Sequence, residues 1–130
     1  MMRLSPSTAI KILVGITAAA IFFHLLILVR IIPYDITWGG RLKSDAEMYV
    51  FESVSILING FYIYVLLQKG DFIRRAFSQK AISTILWIFF ALFVLNTMGN
   101  LVAATNFEKG FAVLTLVNAG LLWIINRAQE

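Results

Sequence analysis

His24 and Glu52 place an imidazole and a carboxylate inside long apolar stretches of this sequence. An imidazole and a carboxylate are enough for proton exchange, because general acid–base chemistry needs only two positioned groups that differ in protonation. His24 is the only histidine, so no multi-imidazole metal centre can form, and the absence of cysteine removes disulfides, thiolate sites and Fe–S clusters. What remains for a metal is a weak oxygen-rich set of low specificity. No metal is therefore assigned, and the sequence leaves any cofactor undetermined. The chain holds no G-x-S-x-G serine, no HExxH or CxxC and no phosphate-cradling glycine loop.

Further polar residues share the apolar stretches. Glu52, Ser55, Asn59 and Tyr62 follow an i, i+3, i+7, i+10 rhythm that puts them on one helix face. Asn96 and Asn100 are i, i+4 neighbours, Thr17, Ala20 and His24 make a stripe, and Asn118 lies on a fourth segment with Thr115 and Asn126. Taken singly, an asparagine in a membrane helix is well explained as interhelical glue worth about 0.6 kcal/mol. Glu52 is harder to explain that way, because an ionisable group within a span marks a functional site by default. His24, Glu52, Ser55, Asn59, Asn96, Asn100 and Asn118 are thus expected to line one polar layer as ligand-binding or proton-relay candidates. No catalytic residue is assigned.

These residues must be positioned by membrane helices. Sixty per cent of the 130 residues are hydrophobic and 14% are charged, against about 45–50% and 25% in soluble domains. Four segments reach or approach the roughly 20 apolar residues that a span requires: about 10–32, 48–68, 81–103 and 111–126. The expected fold is an all-α integral membrane protein, a four-transmembrane-helix bundle forming a single domain over residues 1–130. The first span runs into Arg30-Ile31-Ile32-Pro33 without a small-residue cleavage site, so it reads as a retained helix.

Orientation follows from the basic residues. Arg3, Lys11, Lys69, Arg74, Arg75, Lys80 and Arg127 fall on one side, and Arg30, Arg41, Lys43 and Lys109 on the other. The richer side is expected to be cytoplasmic, with both termini there, in a bacterial inner membrane. The net charge of +4 is then a topology signal, and no nucleic-acid partner is expected. The basic connection around Phe72-Ile73-Arg74-Arg75 suits anionic headgroups. On this orientation His24 lies about 12 Å, Asn118 about 10 Å and Glu52 about 6 Å below the outer surface.

Local signals account for other polar residues. Ser5-Pro6 reads as a cap with proline at the first helical position. Ser44-Asp45-Ala46-Glu47 and Thr105-Asn106-Phe107-Glu108 match the S/T-x-x-E capping box, which gives Glu47 and Glu108 structural roles. Tyr34, Trp38, Tyr49 and Trp123 fit interfacial aromatic belts. The first loop, with Gly39-Gly40 as a turn, offers Tyr34, Asp35, Trp38 and Arg41 as candidates for a lid over the polar layer.

Together these features imply a small membrane protein that binds a small ligand, ion or lipid portion in an outward-facing polar pocket, with proton coupling centred on Glu52. Two alternatives fit the same residues: an accessory or structural subunit of a larger membrane complex, and an intramembrane isomerase using Glu52 and His24. The lipid bilayer is the expected partner, with a homo-oligomer or a larger membrane complex around the chain.

Overall fold

The computed structural model describes residues 4–36, 42–102 and 106–128. These form four α-helices and one short 3-10 turn: α1 (Pro6–Leu28), the turn Tyr34–Ile36, α2 (Asp45–Lys69), α3 (Gln79–Leu101) and α4 (Asn106–Arg127). All four helices are long and apolar enough to cross a membrane. Packing is closest within the hairpins α1–α2 and α3–α4, which join through α1 against α4 and α2 against α3. The end of α1, the start of α2, the end of α3 and the start of α4 lie at one end of the bundle, here the mouth end. The start of α1, the α2–α3 connection and the end of α4 lie at the other, the terminal end.

Three helix starts are built as their sequences dictate. Ser5, Ser44 and Ser78 each accept a hydrogen bond from the backbone N–H three residues on, at 3.1, 3.2 and 3.1 Å. Pro6 occupies the first turn of α1, where its missing N–H costs nothing. Glu47 reaches back to the Lys43 N–H at 3.3 Å, one residue before the cap itself. The Thr105 half of the second capping box lies outside the described residues.

Two helices end in the same motif. In α1, Arg30 N–H bonds Ile27 O and Ile31 N–H bonds Leu26 O; in α2, Asp71 N–H bonds Gln68 O and Phe72 N–H bonds Leu67 O. This is the Schellman pattern, which needs a left-handed residue after the cap. Arg30 (φ 68°) and Asp71 (φ 59°) supply it in place of the usual glycine. The motif ends α1 at Leu28, earlier than hydropathy alone suggests, whereas α4 begins at Asn106, earlier than expected. Hydropathy marks where lipid can touch a helix; backbone hydrogen bonds continue until a cap stops them.

The apolar interior has two parts. At the terminal end Ile10, Leu13, Val65, Leu66, Ile82, Leu86, Leu122 and Ile125 pack together from all four helices, with Tyr62 and Phe89 at the top of the cluster. At the mouth end a smaller cluster of Ile27, Leu42 and Met48 joins α1 to the start of α2. Trp123, expected in an interfacial aromatic belt, stands edge-on against Trp87 and beside Phe90.

Candidate functional site

His24 and Glu52 meet. Nδ1 of His24 on α1 makes a hydrogen-bonded contact with Oε2 of Glu52 on α2, and the Glu52 side chain is fully buried while His24 keeps 20% exposure. The ring of Phe23 stands edge-on to the imidazole. An isolated carboxylate at such a position would cost several kcal/mol in lost hydration. The imidazole changes that balance, because one proton can sit on either partner: a neutral acid beside a neutral imidazole, or a carboxylate beside an imidazolium.

A second contact fixes the register of α2 against α4. The Tyr62 hydroxyl donates to Oδ1 of Asn118 at 3.3 Å, with both residues buried. Both helices run from the mouth end to the terminal end, so equal steps of about 1.5 Å per residue keep their levels matched. Glu52 then lies level with Glu108, Asn59 with Thr115, Leu66 with Leu122, and Lys69 with Ile125 and Asn126. Glu108, 4% exposed, is thus a second buried carboxylate at the level of the first. Sequence reasoning gave it a capping role only. The signal was available, since Glu108 precedes Asn118 by the same spacing that separates Glu52 from Tyr62.

The remaining candidates divide. Ser55 and Asn118 are buried, and Asn59 and Asn100 are half-buried. Asn59 Nδ2 donates to Ser55 O at 2.7 Å and Asn118 Nδ2 to Leu114 O at 2.9 Å, so part of each amide is satisfied by its own helix. Asn96 does not join the layer: it is exposed on the outside of α3. Its neighbour Thr97 takes the inward place and shares a 2.8 Å hydroxyl contact with Thr115 of α4. One residue of helix is a rotation of about 100°, enough to exchange interior for exterior.

Above the pair, the mouth carries a cleft of about 350 Å³ lined by Arg30, Ile32, Pro33, Tyr34, Asp35 and Asp45. Arg30 reaches Asp45 at 3.2 Å. Partial burial, followed by the facing Asp45 carboxylate, raises the Tyr34 phenol above its ordinary pKa. Of the four lid candidates, Tyr34 and Asp35 line this cleft, while Trp38 and Arg41 lie outside the described residues. His24 and Glu52 do not line this cleft. Ile27 and Met48, one turn nearer the mouth than His24 and Glu52 respectively, form an apolar layer with Leu42 between the pair and the opening.

The terminal end holds polar groups that sequence reasoning passed over. Gln68 is fully buried, and its Oε1 accepts from the backbone N–H of Ala76 and Phe77 at 2.7 and 3.0 Å, pinning the α2–α3 connection. Gln68 Nε2 and both polar atoms of the Asn126 side chain are buried without a hydrogen-bond partner. Lys69, next to Gln68 in sequence, is also buried, one heptad beyond Tyr62 on α2. Among the described residues, no group of three or more histidines and carboxylates could hold a metal ion. No family model, curated protein or solved structure matches this chain. The class is accordingly set by architecture alone: an all-helical chain with four helices fit to span a membrane.

Proposed function

We propose that this chain is a small inner-membrane protein whose outward-facing mouth binds a small polar ligand, ion or lipid headgroup, with occupancy coupled to protonation of the His24–Glu52 pair. The observation that carries the reading is the direct contact between a fully buried carboxylate and the chain's single imidazole. Such a pair is retained at a cost in stability, and a protonation switch is a use that warrants it. The mouth cleft offers a guanidinium, a phenol and two carboxylates to a polar guest. The apolar layer of Ile27, Leu42 and Met48 separates guest from pair, so that repacking of this layer is the coupling element.

The lone histidine is its own reporter. Its imidazole is followed by NMR across a pH titration in phosphatidylglycerol nanodiscs, alone and with sodium ion, ammonium ion or ethanolamine phosphate added. The expected result is a His24 titration that at least one probe displaces, and that Glu52→Gln shifts and makes insensitive to that probe. Identical titrations in the wild type and Glu52→Gln, unmoved by every probe, overturn the proposal.

One observation favours a second reading, an accessory subunit: Asn96 places an amide on the outside of an otherwise apolar stretch of α3. A neighbouring chain would satisfy it. Purification in mild detergent then brings down a stoichiometric partner that Asn96→Leu releases; a wild-type chain that purifies alone rejects this reading.

A further inference from the structure

We infer that the bundle axis is a proton path, with the His24–Glu52 pair as its mouth-end station and the buried Lys69–Asn126 level as its terminal-end station. The inference rests on the proton-coupled reading of the pair and adds to it an activity, transfer of a proton across the membrane.

The observations are the positions of the buried polar side chains. Thr17, Glu52, Ser55, Gln68, Lys69, Glu108, Asn118 and Asn126 are the buried polar residues among those described, and they come from three of the four helices. On α2, Glu52, Ser55 and Lys69 share a face with Tyr62 and the half-buried Asn59, whereas Gln68 turns to the α2–α3 connection. From Glu52 to Lys69 is about 25 Å of helix, most of the roughly 30 Å hydrocarbon thickness of a bilayer. Tyr62, hydrogen-bonded to Asn118, stands in the middle of that length, and its hydroxyl, which both accepts and donates, can take a proton from one entering water and release its own to another. The Asn59 level is bordered by the Thr97–Thr115 hydroxyl pair on the α3–α4 side. At the terminal end the unpartnered amide of Asn126 and Nε2 of Gln68 are buried where only water or a rearranged neighbour could satisfy them.

Two apolar layers interrupt the file: that of Ile27, Leu42 and Met48 between the mouth and the pair, and a second nearer the terminal end. Leu66 and Leu122, both fully buried, lie between Tyr62–Asn118 and Lys69–Asn126 within the apolar cluster. A dry layer of this kind stops a continuous water wire and makes it a gate that conducts only when water enters. The path is thus a closed one in this structure.

The transfer balances without a co-reactant. A proton from the mouth side binds the pair, forming an N–H or O–H bond; it leaves along the file by exchange of such bonds, and one proton emerges at the terminal end down its electrochemical gradient. The titratable and charged groups at the pair's level are His24 on α1, Glu52 on α2 and Glu108 on α4. At the terminal end they are Lys11 on α1, Lys69 on α2, Asp71, Arg74 and Arg75 in the connection, Lys80 on α3 and Arg127 on α4.

The test is proton uptake into liposomes holding the full chain and an enclosed pH dye, with a potassium diffusion potential as the drive. Wild type is expected to exceed empty liposomes. Glu52→Gln should lower that excess by about a hundredfold, the low end for removing a positioned proton-transfer group. Leu66→Ser, which wets the gate, should raise it severalfold. Circular dichroism and size exclusion establish that each variant remains a folded helical bundle. Equal flux in wild type and Glu52→Gln, or no flux in either wild type or Leu66→Ser, overturns the path. If flux is absent while Glu52→Gln still shifts the His24 titration, the path fails and the proton-coupled site stands. If that titration is also unmoved, both fail.

Discussion

Replacing Tyr62 with phenylalanine separates packing from hydrogen bonding at the centre of the bundle. The tyrosine ring is fully buried and lies 4.6 Å from the ring of Phe89 and 5.4 Å from that of Phe93. Tyr62→Phe leaves those contacts in place and removes only the hydroxyl that reaches Asn118 at 3.3 Å. Hydroxyl hydrogen bonds are commonest near 2.7–2.8 Å, so this one is long. Cross-helix hydrogen bonds in membrane bundles average about 0.6 kcal/mol and reach about 1.7 kcal/mol at most. A long bond belongs in the lower part of that range, so Tyr62→Phe should cost about 0.5 kcal/mol. Tyr62→Ala instead deletes the ring and leaves a cavity, for which about 3–5 kcal/mol is typical of large aromatic side chains. The assay is reversible unfolding in bicelles or mixed micelles, with a double-mutant cycle against Asn118→Leu to isolate the pair. The same Tyr62→Phe protein should show severalfold slower proton uptake, since the relay atom is lost while the fold is kept. A coupling energy above about 2 kcal/mol, or a Tyr62→Phe variant as unstable as Tyr62→Ala, would refute the reasoning.

Three further outcomes follow from particular contacts. Tyr34 should ionise above its ordinary range, read as tyrosinate absorbance, and Asp45→Asn should bring it down; because the folded-state value is raised, its contribution to stability is complete below the unfolded value and lost as pH rises through the folded one. Arg30→Gly relieves a left-handed backbone that costs about 1–2 kcal/mol and loses an exposed ion pair worth about 0–1 kcal/mol, so unfolding assays should find it neutral or stabilising, and Arg30→Val destabilising. Gln68→Leu strips two backbone donors of their acceptor and should cost at least about 1 kcal/mol, while Gln68→Glu keeps the acceptor and should cost less in the same assay.

Much of the fold was legible because its determinants are local. A serine cap, a proline at the first turn and a run of apolar residues act within four residues or one span, and the caps at Ser5 and Ser44 stand where the sequence puts them. The shared face of Glu52, Ser55 and Tyr62 was equally readable, since helical period fixes which residues of one helix point the same way. Asn96 was not readable in this manner. In a membrane span the lipid-facing side is as apolar as the core, so the pattern around α3 carries too little contrast to say which of Asn96 and Thr97 turns inward. The burial of Glu108 was not readable for another reason: a capping motif accounts for the residue locally, and burial is a property of what packs over it.

The sequence by itself determined that the chain is all-helical with four membrane-length apolar helices, and it singled out His24 and Glu52 as titratable groups in apolar surroundings. Only the tertiary structure decided that the two touch, that Glu108 lies level with them, that Gln68 ties down a loop, and that a leucine layer separates Tyr62 from Lys69. The physical reason is that spacing along one helix sets depth and relative angle. The rotation of each helix about its axis, which brings two such faces together, is set by the packing of all four.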